Sequence, residues 1–99
     1  MSESAFARFM RNSRGSRLWT LADLSRAAGL SQSEVSRIES GARLPTMRHV
    51  KGLAEAFSSS PKTAENEPVR YESWVAHLVD LGERARIDAR SGPGRWSRR

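Results

Sequence analysis

The sequence predicts an all-α protein: a compact domain of four to five helices, followed by an extra amphipathic helix and a basic tail. Three observations carry that expectation. Apolar residues recur at three- and four-residue steps in several separate segments, which is the pattern of helices with one buried side. Between Thr20 and Gly41, the string TLADLSRAAGLSQSEVSRIESG has the punctuation of two short helices joined by a tight turn. The 99 residues contain no Cys, so the chain holds one small domain and a tail without disulfides, thiolate zinc sites or catalytic thiols.

The first helix is expected from Ser4 to about Arg14, where Ala5, Phe6, Phe9 and Met10 fall on one side as core and Arg8 and Arg11 fall elsewhere. Asn12 to Arg17 is a polar break with Gly15 as its turn. Trp19 then stands just before a helix cap, placed as a hydrophobic staple toward Leu24 or as a plug at the core edge. Thr20 supplies the cap and Asp23 completes the capping box. Leu21, Leu24 and Ala28 form a narrow apolar stripe, and Gly29 ends the helix because it leaves with positive φ at little steric cost. Leu30 tucks under the turn. Ser31 and Glu34 form a second capping box that opens the next helix at once. That helix has only Val35 and Ile38 as large apolar residues; its opposite face reads Gln32, Ser33, Ser36 and Arg37, and Gly41 stops it.

A short connection, Ala42 to Pro45, leads to a third cap at Thr46. The helix Met47 to Phe57 should place Met47, Val50, Leu53, Ala54 and Phe57 inward and Arg48 and Lys51 outward. Gly52 costs that helix roughly 1 kcal/mol relative to Ala, or marks a close helix contact. Ser58 to Pro68 (SSSPKTAENEP) reads as a linker. Beyond it, Tyr71, Trp74, Val75, Leu78, Leu81 and Ala85 describe an amphipathic helix from about Val69 to Ala89, interrupted at Gly82. Its stripe has two destinations: its own domain, or a second copy of the chain. The second is favoured, with Tyr71, Trp74, Val75, Leu78 and Leu81 as the dimer contact. The expected organisation is therefore 1–57 as the main domain, 58–68 as linker, 69–89 for dimerisation or packing, and 90–99 as a disordered basic tail. His49 and His77 are expected at the surface.

Gln, Ser and Arg on one helix face can present donors and acceptors to base edges, Gln to adenine and Arg to guanine, from a helix inserted in the major groove. Here the residues also carry a resemblance. The stretch LADLSRAAGLSQSEVSRIESGARLPTMRHVKGLAEAF resembles the lambda-repressor-like helix-turn-helix domains of bacterial and phage regulators, the Xre or Cro/C1 family. It matches in Ala28 before Gly29, the Leu-Ser-Gln opening, the Ser-Arg-Ile-Glu-x-Gly segment at Ser36 to Gly41, Pro45 after it, and a fourth helix ending in Leu-Ala-Glu-Ala-Phe. The resemblance covers about Phe6 to Phe57. It implies a sequence-specific regulator of transcription, most simply a repressor, that binds a double-stranded DNA operator as a homodimer and needs no cofactor. Gln32, Ser33, Ser36 and Arg37 would read bases, while Thr20, Ser31, Arg43, Arg48 and Lys51 would hold phosphates. Many members carry Gln after the residue that caps the second helix, against the DNA backbone; this chain has Leu21 there.

Composition agrees with a polyanionic partner: 17 basic residues against 11 acidic give a net charge of +6. Only Lys51 and Lys62 among the basic residues are Lys, a bias that a GC-rich genome explains as well as phosphate recognition does. No run reaches the roughly 18 apolar residues of a membrane span, and the N-terminus lacks a signal-peptide core, so a cytoplasmic protein is expected. No phosphate-cradling loop, paired metal ligands or nucleophile with a base is visible, which excludes the common enzyme signatures. The competing class is a protein-interaction module, such as an antitoxin or coregulator, whose C-terminal helix binds a partner protein.

Overall fold

Local capping chemistry decides where the helices begin in the computed structural model, which describes residues 4–90, with side chains through Ile87. The described residues form α1 (Ala5–Ser16), α2 (Leu21–Ala28), α3 (Gln32–Ser40), α4 (Met47–Ser58) and α5 (Tyr71–Arg90). Thr20, Ser31 and Thr46 each accept the amide of the residue three positions on, and that residue's side chain accepts the cap's own amide. Three consecutive helices thus open on reciprocal capping boxes, each satisfying two amides that helix geometry leaves unpaired. Gly29 and Gly41 close α2 and α3 at φ 68° and 84°. Gly15, expected as a turn, lies inside α1, which continues to Ser16.

The core is built from Phe6, Met10, Leu24, Val35, Ile38, Val50, Leu53 and Phe57, and from Trp74, Leu78, Leu81 and Ala85 of α5. This corrects the expected dimer contact: Trp74, Leu78 and Leu81 are buried by the chain's own α1 and α4. The reason is energetic. Burying a Trp and two Leu contributes about 1.5–3 kcal/mol each, a sum comparable with the whole stability of a small domain. A helix carrying that stripe closes the nearest open core, and four short helices leave one open. Gly82 does not interrupt α5, which runs unbroken through it; a Cβ there would meet Pro45 at 3.6 Å and Phe6 at 4.0 Å, ordinary van der Waals contacts.

An aromatic column marks the junction. Trp19 stacks on Phe57 at 5.9 Å between centroids, and Phe57 stacks on Trp74 at 4.9 Å. Trp19 therefore acts as the plug of the core edge. The Arg17 guanidinium lies over all three rings, closest to Phe57 at 4.9 Å. The same guanidinium binds Ser60 Oγ, the Pro61 carbonyl and both carboxylate oxygens of Glu67. Residues 58–68 are thus tied to α1 rather than hanging between two units. Gly52 marks a close helix contact: a Cβ there would stand 2.5 Å from the Ala28 carbonyl oxygen. Met47, expected inward, is half exposed as the first residue of α4. The tail expected at 90–99 lies outside the described residues beyond Arg90. No helix among the described residues is long and apolar enough to cross a membrane.

Candidate nucleic-acid interface

The second capping box starts α3 three residues after α2 ends, and this fixes how the helix can sit. Gly29 turns left-handed, the Leu30 amide donates to the Ser25 carbonyl at 3.0 Å, and Ser31 caps immediately. Leu30 is half buried beside Gly52, so the turn is held against α4. Val35, Ile38 and Glu39 are the buried residues of α3. Their three- and four-residue spacing leaves Gln32, Ser33, Ser36 and Arg37 on the outside, and all four are exposed.

Glu39 is the part sequence reasoning missed. It accepts from Arg14 through Nε at 2.6 Å and Nη2 at 3.1 Å, while Arg14 Nη1 donates to the Trp19 carbonyl at 2.8 Å. One side chain of α1 thereby locks the C-terminal half of α3 and the approach to α2. The signal was present as a lone carboxylate in register with Val35 and Ile38, which requires a buried cation. His49 was also missed: it is fully buried and completes the Thr46 capping box through Nδ1. His77, expected at the surface, is half buried with its ring edge-on to Phe9 at 4.6 Å.

Among the described residues no hydrogen bond or ion pair engages the side chains of Gln32, Ser33, Ser36, Arg37, Arg43 or Lys51. Arg43 follows the left-handed Gly41, and its amide donates to the Arg37 carbonyl at 3.2 Å, so the loop folds back on the end of α3. From below, Arg86 Nη2 donates to the Pro45 carbonyl at 2.7 Å, bracing the same loop against α5. Thr20 and Ser31 are exposed; each hydroxyl oxygen accepts a helix amide, and its own hydrogen stays available for a phosphate. Arg48, expected among the phosphate contacts, is exposed and places one guanidinium nitrogen on Glu34. The Glu34 carboxyl is pulled down to about 2, first by the Ser31 amide, then by His49 and Arg48. It is therefore ionised throughout the neutral range.

A capped helix, a glycine turn of this length and a second capped helix with a free polar face define a helix-turn-helix domain. The chain belongs to that family: residues 5–65 match the family model described as "Helix-turn-helix domain". No curated protein and no solved structure matches the chain. Helix-turn-helix domains place their second helix in the DNA major groove, so DNA is the class of partner that membership indicates.

Proposed function

We propose that the protein is a sequence-specific regulator of transcription of the Xre or Cro/C1 kind, most simply a repressor that occupies an operator in the bacterial or phage cytoplasm. α3 enters the major groove. Gln32 and Arg37 make bidentate contacts to bases, Ser33 and Ser36 add single contacts, and Arg43, Lys51, Thr20 and Ser31 hold the backbone. The observation that carries this reading is the contrast across α3. One side is pinned by Val35, Ile38 and the Arg14–Glu39 pair, while the other presents four polar side chains with no internal use. One recognition helix reads few base pairs, so a homodimer spanning two half-sites about 34 Å apart belongs to the proposal. Of the residues first expected at its contact, Tyr71 and Val75 keep surface.

The experiment is selection of bound sequences from a random DNA pool, followed by affinity measurements on the selected and on random duplexes. Gln32→Ala and Arg37→Ala should each lose about 1–3 kcal/mol on the selected site alone. Arg43→Ala should weaken all sequences alike and lower the salt slope by about one ion. A parent protein that binds selected and random DNA equally would remove sequence reading and leave the protein-interaction module in its place.

A further inference from the structure

The imidazole of His49 is wholly buried between the first turns of two helices. Its hydrogen bonds fix its tautomer. The Thr46 amide lies 2.9 Å from Nδ1 and needs an acceptor, so Nδ1 carries no hydrogen and the neutral ring bears it on Nε2. Nε2 faces Glu34 Oε2 at 3.3 Å. The other oxygen of Glu34 accepts the Ser31 amide at 3.0 Å, and Arg48 shares Oε2. A continuous run of bonds thus joins the cap of α4 to the cap of α3: Thr46 donates to His49, His49 donates to Glu34, and Glu34 also accepts from Ser31. The carboxylate has a donor for each oxygen, and no buried side-chain polar atom among the described residues is left unpaired.

We propose that His49 is a positioning residue for DNA recognition, holding the first turn of α3 against α4 without touching DNA. The inference rests on α3 being the helix that enters the groove. Gln32 and Ser33 are the residues immediately after the Ser31 cap, so their reach toward base edges is set by where that cap is held. Bidentate contacts tolerate displacements of only about 0.5 Å. The C-terminal half of α3 is fixed separately by Arg14–Glu39, so on the leading half the His49–Glu34 bond acts beside the burial of Val35.

Two variants of the full chain separate positioning from plain stability. His49→Asn keeps an acceptor for the Thr46 amide but falls short of Glu34; His49→Gln keeps the acceptor and extends an NH2 group toward Glu34. Amide hydrogen exchange at Ser31 in the free protein should quicken in His49→Asn and return toward the parent rate in His49→Gln. Affinity for the selected duplex should fall about tenfold in His49→Asn and recover in His49→Gln, while affinity for random DNA stays within about twofold. If His49→Asn does not fold, Glu34→Gln breaks the same link from α3 and keeps an oxygen for Ser31. Unchanged exchange at Ser31 overturns the tie, and quickened exchange with undiminished discrimination overturns the positioning role. A parent that cannot tell selected from random DNA would instead remove the groove-binding assignment, with Ser31 exchange still deciding whether His49 holds α3.

Discussion

Arg17 and Glu67, fifty residues apart, meet in a two-pronged ion pair with N–O distances of 2.9 and 3.0 Å and side chains 3% and 1% exposed. Removing one partner leaves a buried charge uncompensated. Glu67→Ala should therefore cost about 3–5 kcal/mol in urea unfolding. Arg26→Ala, which opens the exposed Asp23–Arg26 pair, should cost less than about 1 kcal/mol. Equal losses for the two variants would contradict the burial argument.

Acid should loosen the same clasp. Burial pushes the Glu67 carboxyl up, but the bonds from Arg17, Thr63 and Ser13 outweigh it and bring the group from 4.5 to about 2. A folded value below the unfolded one means stability that is complete above 4.5 and is lost as pH falls toward 2. The urea midpoint should drop across that window. In Glu67→Gln the drop should be shallower, with the residual slope carried by Glu34 and Asp23, which are also lowered. A slope identical to the parent's would show that Glu67 is not the group titrating.

Gly52 and Gly15 give opposite expectations for the same change. Alanine gains about 1 kcal/mol of helix propensity over glycine at either position. At Gly15 nothing lies within 4 Å of the new Cβ, so Gly15→Ala should raise the melting temperature. At Gly52 the obstacle is the Ala28 carbonyl oxygen, a backbone atom that moves only if α2 moves. Overpacking of that kind costs about 1–3 kcal/mol, enough to reverse the propensity gain. Gly52→Ala should lower the melting temperature, and a rise would mean that α2 and α4 separate easily.

Trp74 tests the place of α5. Trp74→Ala should cost about 3–5 kcal/mol of stability, because the ring is 1% exposed and stacked on Phe57. Sedimentation of the folded variant should give the same oligomeric state as the parent. Loss of association without loss of stability would return the residue to an interface.

Much of the architecture was legible because it is written in local chemistry. Thr20, Asp23, Gly29, Ser31, Glu34 and Gly41 act on neighbours three or four residues away, so their spacing alone located α2, the turn and α3. The polar face of α3 followed from the same periodicity. The destination of α5 was not legible, since a stripe such as Trp74, Leu78 and Leu81 states that burial is required and not which surface provides it. Arg17 looked like one more surface charge in a polar break; only the fold brings Glu67, Ser60 and the aromatic column around it. His49 escaped for another reason. Its side chain takes the place usually held by Glu or Gln in a capping box, so the motif was present with an unfamiliar residue.

The similarity to the helix-turn-helix family ends at residue 65, before Glu67, Trp74 and Leu78. The recurring unit and the folding unit are therefore different lengths of chain. During translation, α2 and α3 leave the ribosome while the Phe57 ring is still bare on one side and the Arg17 guanidinium still lacks its counter-charge. The guanidinium waits for Glu67 and the ring for Trp74, and the core is complete only at about Ala85, which buries its methyl group there. At roughly 5–20 residues per second that delay is on the order of seconds, long enough for chaperones to meet an open apolar surface. Nonsense or frameshift mutations after residue 65 would leave the recognisable motif in print and deprive it of a floor.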